Sequence, residues 1–264
     1  MKRYYYLIGI QFLGFRYHGW QKQPKLKTIH ERIDKTLKFI LGDVKFKTLG
    51  ASRTDAMVSA LEAGVELFID ETPIENTEDF LKLLNVNLPS DIKAISIAQV
   101  NKKFNIIQDV DFKEYRYLFS FPSKNHPFCS AFMANFQSPL DIEIMKEGAR
   151  LFEGRHYFRS YCARPSEQTD FEREVFLCEL IPNTEFTASF FPEKSYILKV
   201  SGKGFMRYQV RLMMGALVLL GKGEIDLDFI KNSLKPGSEQ LVRYIAPASG
   251  LHLHKLSFDF QKSK

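Results

Sequence analysis

The sequence predicts an α+β fold with a mainly antiparallel sheet, and three observations carry that expectation. Over residues 4–100 the patterns read strand, helix, strand, strand, helix, strand, the split βαβ order of ferredoxin-like units. The strands are spaced for antiparallel pairing, with helices on one face. From residue 112 onward the order roughly repeats, with no repeat of residue identity. The 264 residues suffice for one large domain or two of ordinary size. The repeated order divides them into halves 1–108 and 109–264.

Each element has a local cause. Residues 4–12 are apolar and aromatic and read as a central strand. Residues 28–41 are the clearest helix: Thr28 and Glu31 have capping-box spacing, Ile29, Ile33, Leu37, Ile40 and Leu41 share a face, and Gly42 stops it. Residues 44–49 alternate as a strand, broken by the small Gly50, Ala51 and Ser52. Residues 60–69 alternate too, with Val65, Leu67 and Ile69 set against Glu66 and Phe68. Pro73 marks a turn, 76–84 a short helix, and Pro89-Ser90-Asp91 turns the chain into a strand over 92–100. In the second half, 112–120 is a strand and 141–152 a helix capped by Asp141 and ended by Gly154. Strands follow at 173–180 and 195–200. A long helix over 204–220 is apolar enough to be mostly buried. A shorter helix over 226–234 and a strand over 251–258 close the chain. Residues 14–27, 121–127 and 163–172 read as loops.

Composition narrows the function. Hydrophobic residues at 45% and charged residues at 26% describe a folded chain, not a disordered one. Lys and Arg exceed Asp and Glu by 37 to 31, a net charge of +6, which favours a polyanionic partner. Cys129, Cys162 and Cys178 show neither metal-ligand nor disulfide spacing, so a reducing cytoplasm and no metal are expected. The N-terminus lacks an apolar signal core, and the longest apolar run, 212–220, is too short to span a membrane. Walker spacing and Gly-x-Ser-x-Gly are both missing, which argues against nucleotidase and serine-hydrolase chemistry.

Several stretches could carry chemistry. In Gly50-Ala51-Ser52-Arg53-Thr54-Asp55-Ala56, small residues let a ligand or backbone approach, and a carboxylate near a guanidinium stays ionised, as a nucleophile requires. The same residues also read as a turn in which Asp55 caps the next segment. The 14–27 loop mixes Arg16, Lys22, Lys25 and Lys27 with Tyr17, His18 and Trp20. Basic residues hold phosphates and flat rings hold bases; alternatively, Trp20 pins the loop to the core, and both can be true. Arg207 and Arg211 lie four apart on the apolar helix. Arg211 is the harder to solvate: it either reaches the rim or pairs with a buried acid, for which Asp55 is the candidate. On the strand over 112–120, Tyr115 and Tyr117 share one face and Arg116 takes the other.

Together these segments resemble the tRNA pseudouridine synthase A family. Gly50–Asp55 is similar to its active-site motif, and Tyr17-His18-Gly19-Trp20-Gln21-Lys22-Gln23-Pro24 to its N-terminal signature. Asn87–Ile92 resembles the turn before its fourth strand, and Tyr115-Arg116-Tyr117 its tyrosine strand. Gly204-Phe205-Met206 with Val210-Arg211 resembles its long-helix motif, and Ala246-Pro247-Ala248 with Gly250–Leu253 its C-terminal motif. The matches run in order along nearly the whole chain. Where the family has x-Gly-Val-His-Ala after the Asp, this chain has Ala56-Met57-Val58-Ser59-Ala60. Tyr-Asp-Gly is here Phe12-Leu13-Gly14, and Phe-His-Ala-Arg is Phe104-Asn105-Ile106-Ile107.

The resemblance implies two ferredoxin-like halves sharing a mainly antiparallel sheet with a central cleft. It implies isomerisation of uridine to pseudouridine in tRNA, on the 3′ side of the anticodon stem-loop, by a homodimer without a cofactor. Asp55 is then the nucleophile, Arg211 its partner and Tyr115 the ring stacked on the base. Arg53 fills the space of a flipped-out nucleotide or binds its phosphate. Arg16, His18, Trp20, Lys22, Lys25 and Arg207 contact the RNA. The competing expectations are a synthase on a different RNA and a non-catalytic RNA-binding protein of the same fold.

Overall fold

A computed structural model describes residues 2–261. The chain forms two compact units, one from Met1–Phe112 with Leu253–Lys264, the other from Lys113–His252. Among the described residues the strands are mainly antiparallel, and the fold class is α+β, as the sequence predicts.

The first unit contains β1 (Arg3–Phe12), α1 (Ile29–Leu41), β2 (Phe46–Gly50), β3 (Ser59–Asp70), α2 (Thr77–Asn87) and β4 (Ile92–Gln99). Its strand order is β4-β1-β3-β2, all antiparallel neighbours. β1 and β2 therefore run parallel with β3 between them, which is the split βαβ arrangement. Alternation along β1 buries Tyr6, Ile8, Ile10 and Phe12, and Ile29, Ile33 and Leu37 of α1 and Phe80 and Leu84 of α2 are also core. The expected cap of α1 forms, with Thr28 Oγ1 accepting from the Glu31 N–H at 3.4 Å; α2 is capped by Asn76, whose Oδ1 accepts from Glu78 N–H and Asp79 N–H. Asn85 ties α2 to β4 by a reciprocal pair of 2.8 Å hydrogen bonds with the Ala94 backbone.

One strand face departs from the pattern. Alternation sets Glu66 opposite the apolar side of β3, yet it is 1% exposed. Ala51, Phe104, Ile106, Val110 and Leu256 form a second cluster, and Ile106 and Leu256 pack near Gly64 on Glu66's side of the strand. The carboxylate accepts from Ile106 N–H at 3.1 Å. Burial raises its pKa, since desolvation disfavours the ionised form. β10 (Leu251–Phe258) is the hydrogen-bonded neighbour of β3, and its Leu256 belongs to the cluster on Glu66's side.

The second unit contains β5 (Val110–Ser120, from Lys113), β6 (Ala134–Asn135), α3 (Ile142–Arg150), β7 (Gly154–Tyr157), β8 (Glu172–Pro182), β9 (Tyr196–Gly202), α4 (Gln209–Gly221) and α5 (Leu227–Ser233). Its strands run β5-β9-β8-β7, antiparallel throughout, with the short β6 parallel to β5. α4 is buried along most of its length, as its apolar composition requires. It is shorter than the 204–220 expected. Tyr208, its N-cap, takes a left-handed φ of +63°, which a helix interior excludes, so the helix starts after it and a turn at 207–208 leads in. Gly148 and Gly215 mark close crossings: a Cβ at Gly148 would lie 2.4 Å from Leu220, and one at Gly215 would lie 1.9 Å from the Tyr244 carbonyl oxygen.

Candidate active site

Asp55 stands in the loop between β2 and β3, half-buried, with Arg53 exposed two residues earlier. The loop is unusual in its backbone. Ser52 and Met57 both adopt left-handed conformations, at φ +55° and +66°, a region that favours glycine. Met57 occupies the position at which the family pattern has Gly, so this chain adopts a glycine conformation without a glycine. Val58 N–H closes the turn on the Asp55 carbonyl at 3.3 Å. Ser59, at the family's His position, accepts from Gly14 N–H at 2.9 Å through its hydroxyl. A Cβ at Gly14 would lie 1.9 Å from the Val58 carbonyl oxygen, which explains why that residue of the family pattern is retained here.

The 14–27 loop lies against these residues. Trp20 N–H donates to the Thr54 carbonyl and Met57 N–H to the Tyr17 carbonyl, each at 3.1 Å. Trp20 is 1% exposed, with its ring 5.8 Å from that of Phe12 and 5.7 Å from that of His30. Of the two readings of Trp20, the structure shows the pinned one: no face of the indole is open to stack on a base. Arg16 gives both Nε and Nη2 to Asp91 Oδ2, at 3.0 and 2.6 Å. Tyr17 donates its hydroxyl to Asp91 Oδ1 at 2.7 Å; burial first, and then this bond, raise its pKa. Lys22 is ion-paired with Asp34. His18 and Lys25 are exposed, and Lys25 is left-handed at φ +62°.

A part-buried polar chain links α1 to β2. Thr48 Oγ1 donates to Asp34 Oδ1 at 2.6 Å. Its single proton is thereby used, so His30 Nε2, 2.7 Å from the same hydroxyl, is the protonated nitrogen of a neutral ring. Burial, reinforced by the Lys22 charge, lowers the His30 pKa from 6.5 to about 4. Between about 6.5 and 4 the unfolded chain takes up a proton at this histidine that the folded chain refuses. Stability should therefore fall as pH drops through that window. His30→Gln should show a shallower loss than wild type when urea midpoints are compared at pH 7 and pH 4.5.

In the second unit, Tyr115 lies on β5 opposite Val200 of β9. Its ring meets Phe205 edge-on at 5.4 Å. Arg116, on the other face, is engaged by Glu114 and Glu185. Tyr117 is fully buried and donates to the Pro247 carbonyl at 2.8 Å. Arg211 is on the first turn of α4 and is held at two points. Its Nε donates to the Ala246 carbonyl at 2.8 Å, while Ala246 N–H returns a bond to the Arg211 carbonyl at 3.1 Å. Its guanidinium lies 4.9 Å from the Tyr208 ring, and Arg207 lies 5.3 Å from the same ring. Both arginines therefore approach the Tyr208 ring, and they do not share a helix face, because Arg207 precedes α4.

Sequence reading alone did not single out Tyr208 or the backbone of Ala246 and Pro247. The signal for the latter pair was present, because both belong to the C-terminal motif. Among the described residues no group of three or more His, Cys, Asp or Glu is placed to hold a metal ion, and no helix is long and apolar enough to cross a membrane.

Comparison with known proteins places the chain in a family. Residues 149–259 match the tRNA pseudouridine synthase family profile. The tRNA pseudouridine synthase A of Thermodesulfovibrio yellowstonii is 31% identical over 257 residues, covering 95% of this chain and 98% of that protein. That of Mesoplasma florum is 31% identical over 255 residues, covering 96% and 98%. The tRNA pseudouridine synthase A 2 of Bacillus cereus is 29% identical over 254 residues, covering 96% and 99%. The class is that of the pseudouridine synthases, which are isomerases. Within it, this chain belongs to the tRNA pseudouridine synthase A family.

Proposed function

We propose that the protein converts uridine to pseudouridine on the 3′ side of the tRNA anticodon stem-loop, with Asp55 as nucleophile. The observation that carries this reading is the Asp55 loop: a half-buried carboxylate held in a backbone with left-handed residues on both sides. Strain of this kind costs about 1–3 kcal/mol per residue and concentrates where a group must be aimed.

The reaction is an isomerisation, so atoms and electrons balance without an oxidant or a co-substrate. The C1′–N1 bond breaks, the base turns, and C1′ bonds to C5. C5 loses its proton and N1 gains one. Asp55 attacks either the ribose C1′ or the base C6 and is regenerated. Arg211 keeps Asp55 ionised and aimed. Tyr115 stacks on the base and assists loss of the C5 proton. A base in a stem must leave the stack to react, and Arg53 occupies the vacated space or holds the phosphate. Exposed His18, Lys25 and Arg207 are available to the RNA backbone. Arg16 and Lys22 are already paired, so their contribution is to order the loop. The protein works in the cytoplasm as a homodimer.

Purified protein incubated with unmodified tRNA, without added cofactor, should produce pseudouridine in the anticodon stem-loop when the product is mapped nucleotide by nucleotide. Modification confined to another part of tRNA, or to another RNA, would overturn the assignment of the target.

A further inference from the structure

We propose that Gly19 and Trp20 are positioning residues for Asp55, and that their loop is a mould for the nucleophile's loop instead of a grip on RNA. The proposal rests on the reading of Asp55 as nucleophile.

Left-handed Ser52 and Met57 persist only if the surroundings over-determine them. The 14–20 segment supplies that constraint. Its hydrogen bonds land on both sides of the aspartate: Trp20 N–H on the Thr54 carbonyl, and Met57 N–H on the Tyr17 carbonyl, each at 3.1 Å. Gly14 N–H adds the bond to Ser59 Oγ at 2.9 Å. The packing between the loops is closer still. Gly19 has φ +89°, and a Cβ there would lie 2.7 Å from the Thr54 carbonyl oxygen and 3.1 Å from both Asp55 C and Ala56 N. A methyl at residue 19 therefore pushes on the peptide groups of the aspartate itself. At the other end of the loop, a Cβ at Gly50 would lie 2.3 Å from Trp20 Nε1. The indole has little room to give way, because it is 1% exposed and packed against the rings of Phe12 and His30. Trp20 thus sets the height at which β2 ends and the loop begins. Both residues are buried, which leaves them no surface for RNA.

The test is the behaviour of Gly19→Ala, Trp20→Phe and Trp20→Ala on unmodified tRNA, reading kcat, KM, tRNA affinity by filter binding, and Tm. Gly19→Ala should lower kcat by about 10²-fold, the cost of misplacing a reacting group by about 1 Å, with tRNA affinity unchanged. Trp20→Phe should retain most of the rate, whereas Trp20→Ala should fall with Gly19→Ala. Adding Met57→Gly to Gly19→Ala should recover part of kcat, since a glycine at residue 57 lets the displaced loop resettle. A purely structural role would lower Tm in Gly19→Ala while the folded protein kept its kcat, and that result overturns the proposal. Loss of tRNA affinity with kcat preserved also overturns it, in favour of an RNA grip. If Gly19→Ala yields no folded protein, the Trp20→Phe and Trp20→Ala pair decides by the same readouts. Asp55→Asn separates this proposal from the reading beneath it. A fully active Asp55→Asn removes the nucleophile assignment, whereas an inactive Asp55→Asn beside a fully active Gly19→Ala removes only the mould.

Discussion

Asp55→Asn is expected to lower the conversion of uridine in tRNA by about 10⁴-fold or more, as removal of a nucleophile does in other covalent enzymes. The substitution keeps the side chain's shape and leaves in place the loop's main-chain bonds: Val58 N–H to the Asp55 carbonyl, Trp20 N–H to the Thr54 carbonyl and Met57 N–H to the Tyr17 carbonyl. What changes is the negative charge. An amide cannot form the covalent bond at C1′ or C6 and return as a leaving group. Binding of tRNA, which draws on the protein's basic surplus, should be retained. The measurement is pseudouridine formed under single-turnover conditions, with the tRNA dissociation constant determined in parallel. Turnover at the wild-type rate would end the nucleophile assignment.

Arg211→Lys should lower kcat by about 10²-fold while leaving KM little changed, although the positive charge is kept. The reason lies in how the guanidinium is held. Nε is committed to the Ala246 carbonyl at 2.8 Å, and the planar group lies over the Tyr208 ring at 4.9 Å. This fixes the plane in which its remaining donors point. A lysine ammonium has neither the Nε anchor nor the flat face, so it carries the charge without the aim. Loss of one preorganised donor commonly costs about 10²–10³ in rate. The Ala246 carbonyl also loses its side-chain donor, a cost of about 1 kcal/mol, visible as a small drop in Tm. A kcat unchanged in Arg211→Lys would show that the charge suffices and that the Ala246 anchor has no catalytic role.

How much of this was legible in the sequence depended on the range of the interactions involved. The helix over Ile29–Leu41 could be read because its cap at Thr28, its apolar face and its stop at Gly42 are all local. The motif around Asp55 could be read as a candidate site because residue types and their order survive in a linear string. The left-handed turn at Tyr208 could not be read: nothing in Phe205–Gln209 forbids a helix, and the contacts its ring makes with Arg207 and Arg211 form only in the folded chain. Glu66 was set by alternation on a polar face. Its burial depends on Ile106 and Leu256, which are far away in sequence.

The residues of the 14–27 loop show the same division. Basic and aromatic residues in a loop suit RNA binding and structural packing equally well, and composition does not distinguish the two. The fold distinguishes them by supplying partners: Asp91 for Arg16 and Tyr17, Asp34 for Lys22, and Gly50 with Phe12 for Trp20. By itself the sequence determined the α+β class, the order of elements, the family resemblance and the candidates Asp55, Tyr115 and Arg211. Only the tertiary structure decided which motif residues face solvent and which hold others in place. Close approaches such as that of Gly19 to the Asp55 peptide, and left-handed backbone at a methionine, arise from contacts between distant segments and have no local signature.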